Sequence, residues 1–84
     1  MGLLGALSAA IVELDEDRSL DLTRQVLAEG ATTPLVILKT CQQAMKLVGE
    51  RYERGEYALA ALILAGEVFR GVSELVQPEP VEDF

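Results

Sequence analysis

Apolar positions recur at helical steps along nearly the whole chain, and the residues at each break are ones that cap or stop helices. Leu3 or Leu4, Leu7, Ile11 and Leu14 stand three or four apart and predict a first helix of about three turns. Ala6, Ala9 and Ala10 lie between them and would let another helix approach closely. Asp15, Glu16 and Asp17 then make an acidic corner, in which Asp15 can cap the next helix and the acids suit its positive N-terminal end. A calcium loop would need alternating oxygen ligands around a central glycine, a pattern this corner lacks. The second helix is expected from about Asp17 to Glu29, with Leu20, Val26 and Leu27 inward and Leu22 near the edge of that stripe. Gly30 falls where a left-handed cap is wanted. Thr33 followed by Pro34 is a start signal, an N-cap and a first helical residue.

The third helix is expected from Pro34 to about Arg54. Its predicted seam is Leu38, Cys41, Met45, Val48 and Tyr52, in alternating three- and four-residue steps, with Leu35 and Ile37 widening the face at its start. Gly49 interrupts this helix at a cost of about 1 kcal/mol relative to Ala, which suggests a neighbouring helix passing close. Arg54 to Tyr57 reads as a tight glycine-centred turn. The fourth helix then runs from Tyr57 to about Val76, and Gln77-Pro78-Glu79-Pro80 stops it. A helical domain over residues 1–78 and an acidic, flexible tail over 79–84 follow from this division.

The fourth helix opens with YALAALILAG, ten residues whose one polar side-chain group is the phenol of Tyr57. Ten residues are too few for a bilayer, which needs roughly 20. A helix that is apolar all round must be covered on more than one side. This one is therefore read as the central helix of a bundle, with one face left over for a partner. Short connections favour antiparallel neighbours, so the expected fold is all-α, a compact antiparallel four-helix bundle.

Composition supports that reading. Half of the 84 residues are apolar, yet the chain has two Phe, two Tyr and no Trp, so Leu, Val, Ile and Ala must build the core. A net charge of −7 leaves no basic patch to neutralise phosphates, which argues for no nucleic acid and no membrane among the partners. The single cysteine, Cys41, cannot form an internal disulfide and reads as a buried, inert thiol. The apolar N-terminus lacks a basic region ahead of it and runs into an acidic stretch, unlike a signal peptide, and a cytoplasmic location is expected.

Candidate chemistry is scarce. With no histidine in the chain, His-based general acid–base catalysis, Ser–His triads and His-containing zinc or di-iron motifs are all absent. One cysteine cannot make a thiolate zinc site. Glu50, Glu53, Glu56 and Glu67 gather near the last turn, but Arg51 and Arg54 beside them point to a salt-bridged surface. From these absences the chain is not expected to be an enzyme.

The run Val48-Gly49-Glu50-Arg51-Tyr52-Glu53-Arg54-Gly55-Glu56-Tyr57 resembles a pattern in the helical cap module, the B12-binding N-terminal domain, of corrinoid proteins and cobalamin-dependent methionine synthase. That family reads approximately V-G-E-x-F-x-x-G-E-Y-F-L-P-E-x-x-x-A-A-E. Tyr52 stands at its first aromatic, Gly55, Glu56 and Tyr57 match, and so do Leu59, Ala65 and Glu67. Leu75, Pro78, Asp15, Gly30 and Pro34 also fall in family-like places, so the resemblance covers about residues 4–78.

The resemblance implies a cap that covers the upper face of a B12 cofactor and shields a cobalt-bound methyl group from water. In that family a separate α/β domain holds the corrin from below through an Asp-x-His-x-x-Gly motif, which this chain does not contain. A B12-binding α/β domain, in cis or in trans, and a corrinoid methyltransferase are therefore the implied partners. Cobalamin is the implied cofactor, but only with that second domain, and none is expected for the chain alone. By the same carry-over Ala58, Leu59 and Leu62 match the lid-forming stretch. The family's bulky aromatic is Ala58 here and its proline is Ala60. The alternative is a free-standing helical interaction module that binds no corrinoid and pairs with itself as a homodimer.

Overall fold

The computed structural model describes residues 2–30 and 32–76. They form four helices: α1 (Leu3–Val12), α2 (Glu16–Glu29), α3 (Pro34–Glu53) and α4 (Leu59–Val76). There is no strand among the described residues, and the fold is the all-α antiparallel four-helix bundle that the periodicity predicts. The expected stop at 77–80 and the acidic tail over 79–84 lie outside the described residues.

The helix ends obey local chemistry. The Asp15 carboxylate accepts from the Arg18 N–H at 3.2 Å, and the Thr33 hydroxyl accepts from the Val36 N–H at 3.3 Å with Pro34 at the first helical position. Each satisfies one of the amides a helix start leaves without a partner. Gly30, at φ +68°, closes α2. The fourth helix starts two residues later than expected, at Leu59, because the backbone of Glu56 and Tyr57 is still engaged in ending α3.

α1 packs against α2 and α3, and α4 against α3 and α2. α2 and α3 are consecutive in the chain yet stand across the diagonal and touch least. The core is built from Leu7, Ala10 and Ile11 of α1, Leu22 and Val26 of α2, Ile37, Cys41 and Ala44 of α3, and Val68, Val72 and Val76 of α4. Five positions depart from the expected stripes. Leu22, expected at the edge, is buried, while Leu20 and Leu27 are only partly buried. On α3 the seam ends at Val48, and Leu35 and Tyr52 are exposed.

Among the described residues two polar side chains are fully enclosed, Ser19 and Thr23. They stay satisfied within α2: Ser19 Oγ donates to the Asp15 carbonyl at 2.7 Å and Thr23 Oγ1 to the Ser19 carbonyl at 2.8 Å. A buried hydroxyl that bonds the carbonyl four residues back carries no desolvation debt, so it can occupy a core position. The close helix approach expected at Gly49 is found elsewhere. A Cβ at Gly49 would meet nothing within 4 Å, whereas one at Gly71 would come 3.1 Å from Leu20 Cδ2. Gly71 is where α4 and α2 come together.

Candidate functional site

The turn between α3 and α4 is built first from backbone. α3 ends with Gly55 at φ +81°, a left-handed conformation that glycine adopts without strain. From there the Gly55 N–H donates to the Tyr52 carbonyl at 3.0 Å and the Glu56 N–H to the Arg51 carbonyl at 2.8 Å, the paired bonds of a Schellman cap. Glu56 then faces both arginines, 3.1 Å from Arg54 and 4.0 Å from Arg51. These pairs are well exposed and contribute little to stability, on the order of 0–1 kcal/mol. Of the four carboxylates expected to gather here, Glu56 pairs with these arginines and Glu67 pairs with Arg70 along α4.

Tyr57 connects this turn to the far side of the chain. Its hydroxyl donates to the Val12 carbonyl at 2.6 Å and accepts from Arg51 Nη1 at 3.2 Å, and the Arg51 guanidinium lies 5.5 Å from the ring centroid. The bond completes the end of α1. A helix leaves its last four carbonyls without intrahelical partners. Here Ala9 accepts from the Glu13 N–H, Ala10 from the Asp15 N–H, Ile11 from the Leu14 N–H, and Val12 from Tyr57. That closure requires Leu14 at φ +63°, a left-handed position costing a side-chain-bearing residue about 1–2 kcal/mol.

Beyond Tyr57 the chain presents apolar residues to the outside. Leu59 is 60% exposed, Ile63 65% and Leu64 39%, and Ala58 and Ala60 are exposed as well. Leu62 is half-buried. No residue of 58–64 is fully enclosed; burial on α4 begins at Ala65. Leu59 and Ile63, four apart, stack on one outward strip that Gly66 continues, and a Cβ at Gly66 would meet nothing within 4 Å. Leu64 lies two turns before Gly71 and so faces the α2 side. Covering Leu59 and Ile63 would release about 1–2 kcal/mol each.

Of the three residues expected to form a lid, Ala58 and Leu59 therefore lie open on this ledge and Leu62 borders it. Ile63, the most exposed large apolar side chain among the described residues, was not among them. The family pattern carries no signal at that position, but helical spacing from Leu59 would have found it. Cys41 is fully buried, and burial pushes its thiol up to about 11, which keeps it protonated and unreactive at neutral pH. Among the described residues the surface encloses no pocket, and no three Asp, Glu or Cys side chains gather where they could hold a metal ion. No described helix is long and apolar enough to cross a membrane. What the arrangement offers is an open, uncharged apolar ledge bordered by paired charges.

A family model described as B12 binding domain matches residues 3–77. The chain is 27% identical over 77 residues to monomethylamine corrinoid protein 2 of Methanosarcina mazei, covering 92% of this chain and 35% of that protein. It is 30% identical over 70 residues to trimethylamine corrinoid protein 1 of Methanosarcina acetivorans, covering 83% of this chain and 32% of that protein. Monomethylamine corrinoid protein 2 of Methanosarcina barkeri is similar to the same extent. The chain thus spans about a third of the length of these curated relatives. No solved structure gives a significant match.

Proposed function

The chain belongs to the B12 binding domain family, and from that premise we propose that it is a helical cap that covers the upper face of a cobalamin held by a separate α/β domain, in cis or in trans. The observation that carries this reading is the ledge at the start of α4, where Leu59 and Ile63 stand open to solvent side by side within an uncharged apolar run. A flat, one-sided apolar surface without an enclosed pocket suits a partner that is itself a broad face. The residues present fit such a group: Ala58, Leu59, Leu62 and Ile63 carry no charge, and the nearby Arg51 and Arg54 share the carboxylate of Glu56.

Cobalamin, when bound, supplies the cobalt that carries a methyl group between partner proteins. The chain's own residues exclude water from one side and do no covalent chemistry; that division of labour is usual when a cofactor carries the reaction. A corrinoid methyltransferase would be the protein that meets the covered cofactor. Residues 1–78 would make up the cap and 79–84 a tail outside it. The chain alone should show no measurable affinity in a titration with methylcobalamin, because it offers contact from one side only.

The test is to mix the chain with a cobalamin-loaded α/β domain and follow photolysis of methylcobalamin. The chain should slow photolysis, and Leu59→Asp with Ile63→Asp should abolish the protection without unfolding the bundle. The same open ledge also favours a second reading, a homodimer in which two copies cover each other. No protection, together with a stable dimer by light scattering that the double substitution dissociates, would establish that alternative.

A further inference from the structure

The ledge occupies the part of α4 with the least holding it. Its six residues from Leu59 to Leu64 span about 9 Å of the axis, with Ala61 and Leu62 half-buried and the rest exposed, before the first buried residue, Ala65. Ala58, in the position that Asp15 and Thr33 occupy ahead of α2 and α3, has no side-chain acceptor with which to cap the helix. The long-range tie at this end is the Tyr57 hydroxyl on the Val12 carbonyl, a bond that joins residues 45 apart in the chain. Tyr57 precedes the first ledge residue, Leu59, by two positions. Its own orientation is set from the other side, by Arg51 donating to the hydroxyl and lying over the ring.

We infer that Tyr57 is a positioning residue for the ledge: held between the Val12 carbonyl and Arg51, its hydroxyl sets the direction in which Leu59 and Ile63 leave the bundle. The chemistry favours this bond strongly. Val12 presents the last carbonyl of α1, at the negative end of the helix dipole, and Arg51 brings a positive charge to the same point. The strained Leu14 supplies partners for the other α1 carbonyls but none for Val12, so no local group replaces Tyr57 there. The consequence for cofactor covering rests on the cap reading; the positioning itself does not.

Tyr57→Phe keeps the ring and its stacking on Arg51 and removes only the hydroxyl. In the full chain, amide hydrogen exchange over residues 61–65 should then accelerate about tenfold, as expected for a lost bond to a part-buried acceptor, with α3 and the half of α4 after Ala65 changing far less. Arg51→Met, which leaves the bond to Val12 in place, should accelerate the same amides by a smaller factor. In the photolysis assay, at a temperature where both proteins are fully folded, Tyr57→Phe should lose most of the protection. A uniform rise in exchange over all four helices would reduce Tyr57 to a general stabiliser and overturn the inference. So would unchanged exchange at 61–65. If the unsubstituted chain gives no photolysis protection, the cap reading fails, and the exchange data still decide the role of Tyr57.

Discussion

The two halves of α4 make opposite use of the same kind of sequence. From Ala65 onward, Ala65, Val68, Val72 and Val76 recur at helical steps and every one is buried, with charged and small residues and the half-buried Phe69 and Leu75 between them. From Leu59 to Leu64 the chain is more apolar still, and no residue is fully enclosed. Burial is set by what stands opposite. Val68, Val72 and Val76 enter the core cluster that all four helices share, whereas Leu59 and Ile63 have no such cover. An uninterrupted apolar run marks a helix with something to cover; it does not say that its own chain covers it.

The sharpest way to break this comparison is to put the same charge into each half. Val72→Asp would bury an unpaired carboxylate and should cost about 4 kcal/mol or more, enough to unfold a domain of this size, by thermal or urea denaturation. Ile63→Asp should change stability by no more than about 0.5 kcal/mol, because the side chain already stands in water. Equal losses for the two would mean that the ledge is core after all.

A second measurement tests the dry side through Cys41. Its folded thiol, at about 11, lies above the ordinary value of 9.0. The unfolded chain therefore loses this proton first as pH rises. The stabilisation is complete below pH 9 and should decline by on the order of 2–3 kcal/mol as pH approaches 11. Urea titrations across this window should show a shallower pH slope for Cys41→Ala than for the unsubstituted chain, and thiol reagents should label Cys41 only as fast as the bundle opens.

The smallest effects separate the glycines. Gly49→Ala and Gly66→Ala add a methyl to open space inside helices, and each should stabilise the chain by about 0.5–1 kcal/mol in denaturant titrations. Gly71→Ala would need Leu20 to give way by a few tenths of an ångström, and its gain should fall clearly below theirs. A larger gain at Gly71 than at Gly49 would show that the contact between α4 and α2 is looser than 3.1 Å implies.

Much of this was legible along the chain because the signals are local. Asp15, Thr33 with Pro34, Gly30 and Gly55 act within a turn of themselves, and their roles follow from residue type. The ledge residues Ala58 and Leu59 could be named from the family-like run around Gly55-Glu56-Tyr57, while Ile63 needed the helix to be drawn. Ser19 and Thr23 were missed because their hydroxyls are satisfied inside α2, which makes two polar residues behave as core.

By itself the amino-acid sequence determined four helices, their caps, an apolar surplus in the fourth and the lack of any histidine or thiolate chemistry. Those properties depend on spacing, backbone preference and composition, which neighbours in the chain decide. Tertiary structure alone decided which helices touch, that α2 meets α4 at Gly71 and not α3 at Gly49, and that the Tyr57 hydroxyl ends α1. Contacts between residues 45 apart depend on how whole helices stack, and no local preference encodes that.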